Sequence, residues 1–143
     1  MPLRPQVPPP CDLTLGLTCI DKSVPGRTTW TMEVEERFTN PVGILQGGFL
    51  AALCDSAMGA SSITWAAGEG RPPARSSNAE MKVSFLRAVK PGTTLTCTAT
   101  VISGGSRVAF VEADVVDDAG NRVARASSTY ILLPRPDSTE NSS

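Results

Sequence analysis

Apolar and polar side chains alternate along Arg27 to Arg37 (RTTWTMEVEER), with Trp30, Met32 and Val34 on one side and Thr31, Glu33 and Glu35 on the other. Period two over this length predicts a half-buried strand. Four later runs read the same way. Glu80 to Leu86 puts Met81, Val83 and Phe85 on one face, and Thr94 to Ile102 puts Leu95, Cys97, Ala99 and Val101 opposite threonines. Val108 to Val116 and Arg122 to Leu133 complete the set. The connections KPG, SGGS and DDAGN carry hairpin chemistry, so these four runs are expected to form one antiparallel meander. Upstream, Leu13 to Ile20 is expected as a strand, or as a short helix leading into one, with SVPG turning the chain into Arg27.

The pattern changes over Gly47 to Ala66, which is apolar nearly all round and predicts a buried helix of roughly 30 Å. Its small residues, among them Ala51, Ala52, Ser56, Ala57, Gly59, Ala60 and Ser61, would let another layer approach closely. Gly59 costs about 1 kcal/mol inside a helix, which close packing is expected to offset. A loop, AGEGRPPARSS, follows. One hydrophobic helix and an antiparallel meander imply an α+β domain whose sheet curls around that helix. The expected organisation is a Pro-rich arm over residues 1–12, one domain over 13–133 and a polar, frayed tail over 134–143.

Composition narrows the chemistry. A formal net charge of -1 leaves no basic excess for nucleic acid. The long uncharged stretch is rich in Gly, Ala, Ser and Thr rather than Leu and Ile, a poor match to a membrane span. The N-terminal MPLRPQVPPP has no apolar core and does not read as a secretory signal. Cys11, Cys19, Cys54 and Cys97 form no CxxC pair and are expected as reduced thiols in a cytoplasmic protein, with no metal or redox cofactor. Histidine is absent, which removes Ser-His-Asp and Cys-His nucleophile systems and every His-dependent dehydratase. An enzyme built on this chain is expected to use a carboxylate base, and Asp55, the only charged residue between Arg37 and Glu69, is the natural candidate.

From Gly48 to Asp55 is seven helical steps, or about 700°, some 20° short of two turns. Asp55 therefore lies on nearly the same stripe as the Gly47-Gly48 start, beneath free backbone N–H groups that attract negative charge. Glycines there let a ligand reach the main chain. Such a helix start can serve as an oxyanion hole with a carboxylate two turns away. The same spacing also suits a polar group satisfied at a subunit interface by an arginine, and Gln46 and Asn40 also read as helix-entry and turn residues.

Taken together, Asn40, Gly47 and Asp55 in N-P-V-G-I-L-Q-G-G-F-L-A-A-L-C-D-S-A-M-G, with N-A-E-M-K-V-S-F-L-R-A-V-K-P-G from Asn78, resemble the signature of hotdog-fold acyl-CoA thioesterases. The branch is the PaaI-like one that contains the phenylacetyl-CoA and 4-hydroxybenzoyl-CoA thioesterases. The resemblance implies hydrolysis of an acyl- or aryl-CoA thioester in homodimers or homotetramers, with active sites between subunits. It gives Gly47 the role of polarising the thioester carbonyl through its N–H, and Asp55 that of nucleophile or general base. Asn40 would orient the water or the carbonyl. Gln46 stands where many relatives have His; it can hydrogen-bond a carbonyl but cannot titrate. Gly48, Ser77, Asn78 and Arg107 are candidates for substrate binding. Arg71, Arg75, Arg87 and Lys90 join Arg107 as candidates for the CoA phosphates, and Phe49, Met58, Trp65 and Phe85 for the pocket floor. A non-catalytic acyl-CoA-binding hotdog protein is the alternative.

Overall fold

The computed structural model describes residues 7–72 and 74–134. A short helix α1 (Pro10–Leu15) leads into strands β1 (Thr18–Val24) and β2 (Arg27–Glu33). A 3-10 turn (Glu36–Phe38) precedes the long helix α2 (Gly47–Gly68), and β3 (Ala74–Phe85), β4 (Thr94–Gly104), β5 (Val108–Val116) and β6 (Arg122–Pro134) follow. The six strands form one antiparallel sheet in the order β1-β2-β4-β5-β6-β3, with α2 packed against it. This is the expected α+β hotdog architecture. Leu13 to Ile20 resolves into the end of α1 and the start of β1, so the boundary drawn at residue 12 falls inside a helix. The remaining arm residues 1–6 and the tail residues 135–143 lie outside the described part.

The expected four-strand meander is corrected. Only β4, β5 and β6 follow one another as hairpins, while β3 pairs with β6 at the far edge of the sheet. KPG is consequently a crossing rather than a hairpin. The segment after β3 runs back across the molecule, tied by Leu86 N–H to Val123 O (2.9 Å), Leu45 N–H to Val89 O (2.8 Å) and Gly92 N–H to Val34 O (2.9 Å). Alternation within a strand reports which face is buried but not which strand lies alongside. The β3 strand also begins at Ala74, inside the stretch expected as a loop. Between β1 and β2, Pro25 and Gly26 make the tight turn, Gly26 at φ +83°.

The core lies between α2 and the inner sheet face. Leu50, Leu53, Cys54, Ala57 and Met58 of the helix meet Met32, Leu95, Cys97, Ala99, Val111 and Val115 of the strands, all buried. Small side chains set the separation. The Ser61 hydroxyl, fully buried, donates toward Ala57 O and Ala99 O (both 3.0 Å) and stands 2.8 Å from the Thr28 hydroxyl. A buried hydroxyl without such partners would be costly.

The helix is not buried all round. Gly48 and Asp55 are exposed, with Ala52 and Gly59 half-buried on the same side. Nor does packing at Gly59 demand glycine. A Cβ there would stand 3.5 Å from Tyr130 Cε1 and 3.6 Å from Ser76 Oγ, ordinary contact distances. Gly59→Ala is therefore expected to stabilise the fold by up to about 1 kcal/mol through helix propensity. A lower denaturant midpoint than the parent chain would contradict this.

Candidate active site

The start of α2 is shaped by two neighbours of the helix. Asn40 builds the approach: its Oδ1 accepts the N–H groups of Val42 (3.1 Å) and Ile44 (3.2 Å), closing a tight loop. Its side-chain oxygen is thereby committed to backbone. Gln46 is the N-cap, and its Oε1 accepts the Gly48 N–H at 2.8 Å. The Gly48 N–H is therefore occupied. Gly47 N–H, by contrast, has no acceptor among the described residues and is left at the positive end of the helix.

Phe85, at the end of β3, lies over Gly47. A Cβ on Gly47 would come within 2.9 Å of Phe85 Cζ, so glycine here lets the ring sit against the main chain. A cavity of about 510 Å³ opens beside it, lined by Ile44, Leu45, Leu50, Phe85, Val89 and the single cation Arg87, among others. Of the residues expected on the pocket floor, Phe85 alone lines this cavity. Phe49 stacks against Phe38 with centroids 4.8 Å apart, and Met58 is fully buried in the core. Trp65 lies at the other end of the helix, in contact distance of Gly26 and Gly104.

Two turns into α2, the Asp55 carboxylate is gripped by strand residues. Tyr130 on β6 donates its hydroxyl to Asp55 Oδ1 at 2.6 Å, and Asn78 on β3 donates its side-chain amide to the same oxygen at 2.9 Å. Asp55 Oδ2 has no hydrogen-bond partner among the described residues. The buried Ser128 hydroxyl stands 2.9 Å from Asn78 Oδ1 and 2.8 Å from Glu80 O, which turns the amide so that its NH₂ faces the carboxylate. Register explains the meeting: Asn78 and Tyr130 are direct partners across β3 and β6. Asp55 itself is exposed in the single chain.

The structure thus brings Asn78 to Asp55 and leaves others apart. Ser77 is exposed; because Ser76 and Asn78 both reach α2, alternation sends Ser77 to the opposite face. Arg107 is exposed in the β4–β5 turn, where its carbonyl accepts Leu132 N–H (2.7 Å). Among the other cations, Arg71 stacks on Trp65 at 4.7 Å and donates to Gly105 O, whereas Arg75 and Lys90 are exposed. Sequence reading missed Tyr130 and Ser128. The one available signal was Tyr130 as the sole tyrosine, set within an apolar strand pattern.

Burial, and then the hydrogen bond and charge of Asp55, push the Tyr130 phenol well above the ordinary tyrosine range. In the unfolded chain that proton leaves near pH about 10. Stability tied to it is whole below that pH and falls above it, by up to about 1.4 kcal/mol per pH unit, because the folded state then holds the extra proton. In an alkaline titration, tyrosinate absorbance should appear only together with unfolding. Ionisation of the intact fold with a midpoint near 10 would contradict this.

Comparison with known proteins gives concordant matches. Residues 42–124 match the Thioesterase superfamily. Acyl-coenzyme A thioesterase 13 of Homo sapiens is 30% identical over 119 residues, 82% of this chain and 81% of its own. Among solved structures, the PaaI protein of the E. coli phenylacetic acid degradation operon superposes with TM-score 0.79 at 23% identity, over 87% of this chain and 85% of that one. A mutant of the phenylacetic acid degradation protein PaaI from Thermus thermophilus gives TM-score 0.76 at 28% identity, over 87% and 99%.

Proposed function

Because the chain belongs to the Thioesterase superfamily and is a thioester hydrolase of the hotdog, PaaI-like type, we propose that its substrate is an acyl- or aryl-CoA thioester. The products are the free carboxylic acid and CoA. The name of the Homo sapiens relative supports the CoA ester. The observation that carries the mechanism is the held carboxylate: Asp55 Oδ1 takes both donors, and Oδ2 is left for water or for the thioester carbon. Asp55 acts as general base or nucleophile. The unoccupied Gly47 N–H polarises the carbonyl oxygen, with the helix dipole behind it. The thiolate is a good leaving group, so no titrating acid is required and the absence of histidine is no obstacle.

Asn40 and Gln46 serve this arrangement by fixing the helix start. Gln46 stands at the position of the commoner histidine as a cap, a role that needs no proton transfer. Arg87, beside the cavity at Gly47, is the cation best situated for a CoA phosphate.

Gly47 and Asp55 are eight residues apart, about 12 Å along the helix axis, whereas reacting atoms must approach to about 3–3.5 Å. A carbonyl bound at Gly47 is thus beyond direct reach of the carboxylate on its own helix. Together with the exposed Gly48–Asp55 stripe, this supports an active site shared between two copies of the chain. Sedimentation at assay concentration should give a dimer or larger. Full turnover by a single-chain particle would sink the shared site.

Purified protein should release free thiol from at least one member of a panel of aromatic and aliphatic CoA esters. Asp55→Asn should lower kcat by about 10²-fold or more, in line with loss of a positioned base or nucleophile. Its melting temperature should stay within a few degrees of the parent, because the amide still accepts from Tyr130. Hydrolysis by Asp55→Asn at the parent rate would rule the mechanism out.

A further inference from the structure

We propose that Tyr130 is a positioning residue for hydrolysis, which locks the Asp55 carboxylate so that Oδ1 is held against the sheet and Oδ2 is the oxygen presented to the reaction. The inference rests on the reading of Asp55 as the reacting carboxylate and deepens it. Three observations lead to it. The Tyr130 hydroxyl approaches Asp55 Oδ1 at 2.6 Å, a length expected of an O–H donor meeting an ionised carboxylate. It also stands 3.0 Å from the Asp55 carbonyl oxygen, so the hydroxyl sits against both the side chain and the main chain of the same residue. Tyr130 is 2% exposed, and its ring is held in the core, so this donor has little freedom to turn away.

Asn78 completes the lock. Its amide donates to Asp55 Oδ1 and stands 3.3 Å from the Tyr130 hydroxyl, while Ser128 holds its oxygen end. Both donors converge on one oxygen, and the other has no hydrogen-bond partner among the described residues. An aspartate on an exposed helix face would otherwise sample several rotamers. Fixing it on two sheet residues gives the carboxylate the rigidity of the sheet.

Tyr130→Phe keeps the ring and removes only the hydroxyl. We expect kcat to fall by about 10- to 100-fold, the rate equivalent of one hydrogen bond to a charged group, with KM within about twofold. In the Asp55→Asn background, the same change should alter the residual rate by less than about twofold, because the group it positions is gone. A kcat within twofold of the parent, a loss expressed in KM alone, or an equal loss in the Asp55→Asn background would overturn the proposal. A second measurement does not depend on the folding of Tyr130→Phe. Tyr130 is the only tyrosine, so 3-fluorotyrosine labels it alone. Its ¹⁹F resonance should move on saturation with a non-hydrolysable CoA thioether; an unmoved resonance would overturn the coupling. The two levels separate cleanly. If Asp55→Asn retains the parent rate, the underlying mechanism falls. If Asp55→Asn is inactive and Tyr130→Phe is not impaired, only the role of Tyr130 falls.

Discussion

The approach of α2 to the inner sheet face governs what the rest of the molecule can do. Along the buried side of the helix, Cys54, Ala57 and Ser61 present little bulk, and opposite them stand Thr28, Cys97 and Ala99. With larger residues there, the sheet would stand further off and its side chains would lose contact with the helix. The close approach has a polar consequence. Thr28 and Ser61 hydroxyls can bond each other and backbone carbonyls, satisfying groups that burial would otherwise penalise. It has a functional one as well: a tyrosine on β6 spans the remaining gap and touches the helix at Asp55.

Much of this was legible along the chain, and the limits have a physical shape. Strand faces were readable because burial imposes period two, and Met32, Leu95, Cys97 and Ala99 are buried as that period requires. The helix was readable from its length and its lack of charge, although an apolar surface nearly all round predicts burial on every side and Gly48 and Asp55 are exposed. Pairing was not readable. That β3 lies against β6 rather than β4 depends on the crossing of residues 86–93, and such non-local contacts leave no mark on local alternation. Because Asn78 and Tyr130 meet only through that pairing, half of the grip on Asp55 was hidden with it. That Ser77 lies apart from Asp55 has a simpler cause. One step along a strand reverses the face, and the start of β3 had been read as loop.

The helix start shows how roles that look interchangeable in sequence are divided by geometry. Gln46, Gly47 and Gly48 are adjacent and uncharged, yet they do three different things. Gln46 turns back to accept from Gly48, which takes that N–H out of use. Gly47 N–H has no acceptor among the described residues, and Gly47 accommodates the Phe85 ring, for which absence of a Cβ is needed. An N-cap of this kind steadies the first turn and leaves one donor without an intrahelical partner at its positive end.

The distance of Asp55 from that end has its own logic in the proposed chemistry. A helix dipole acts mainly within the first turn, so it strengthens Gly47 as a carbonyl partner and exerts little pull on a carboxylate two turns further in. Nor is Asp55 paired with a cation among the described residues; its partners are a phenol and an amide, both neutral. An arginine in their place would hold the carboxylate as firmly but would also compensate its charge. Neutral donors fix its position and leave the charge available, and burial of Tyr130 keeps one of them protonated. Positive potential is thus concentrated where the thioester oxygen gains charge, and negative charge is retained where water or the thioester carbon must be approached. Each helix carries both groups, one for each of two shared sites, because its dipole fades between them.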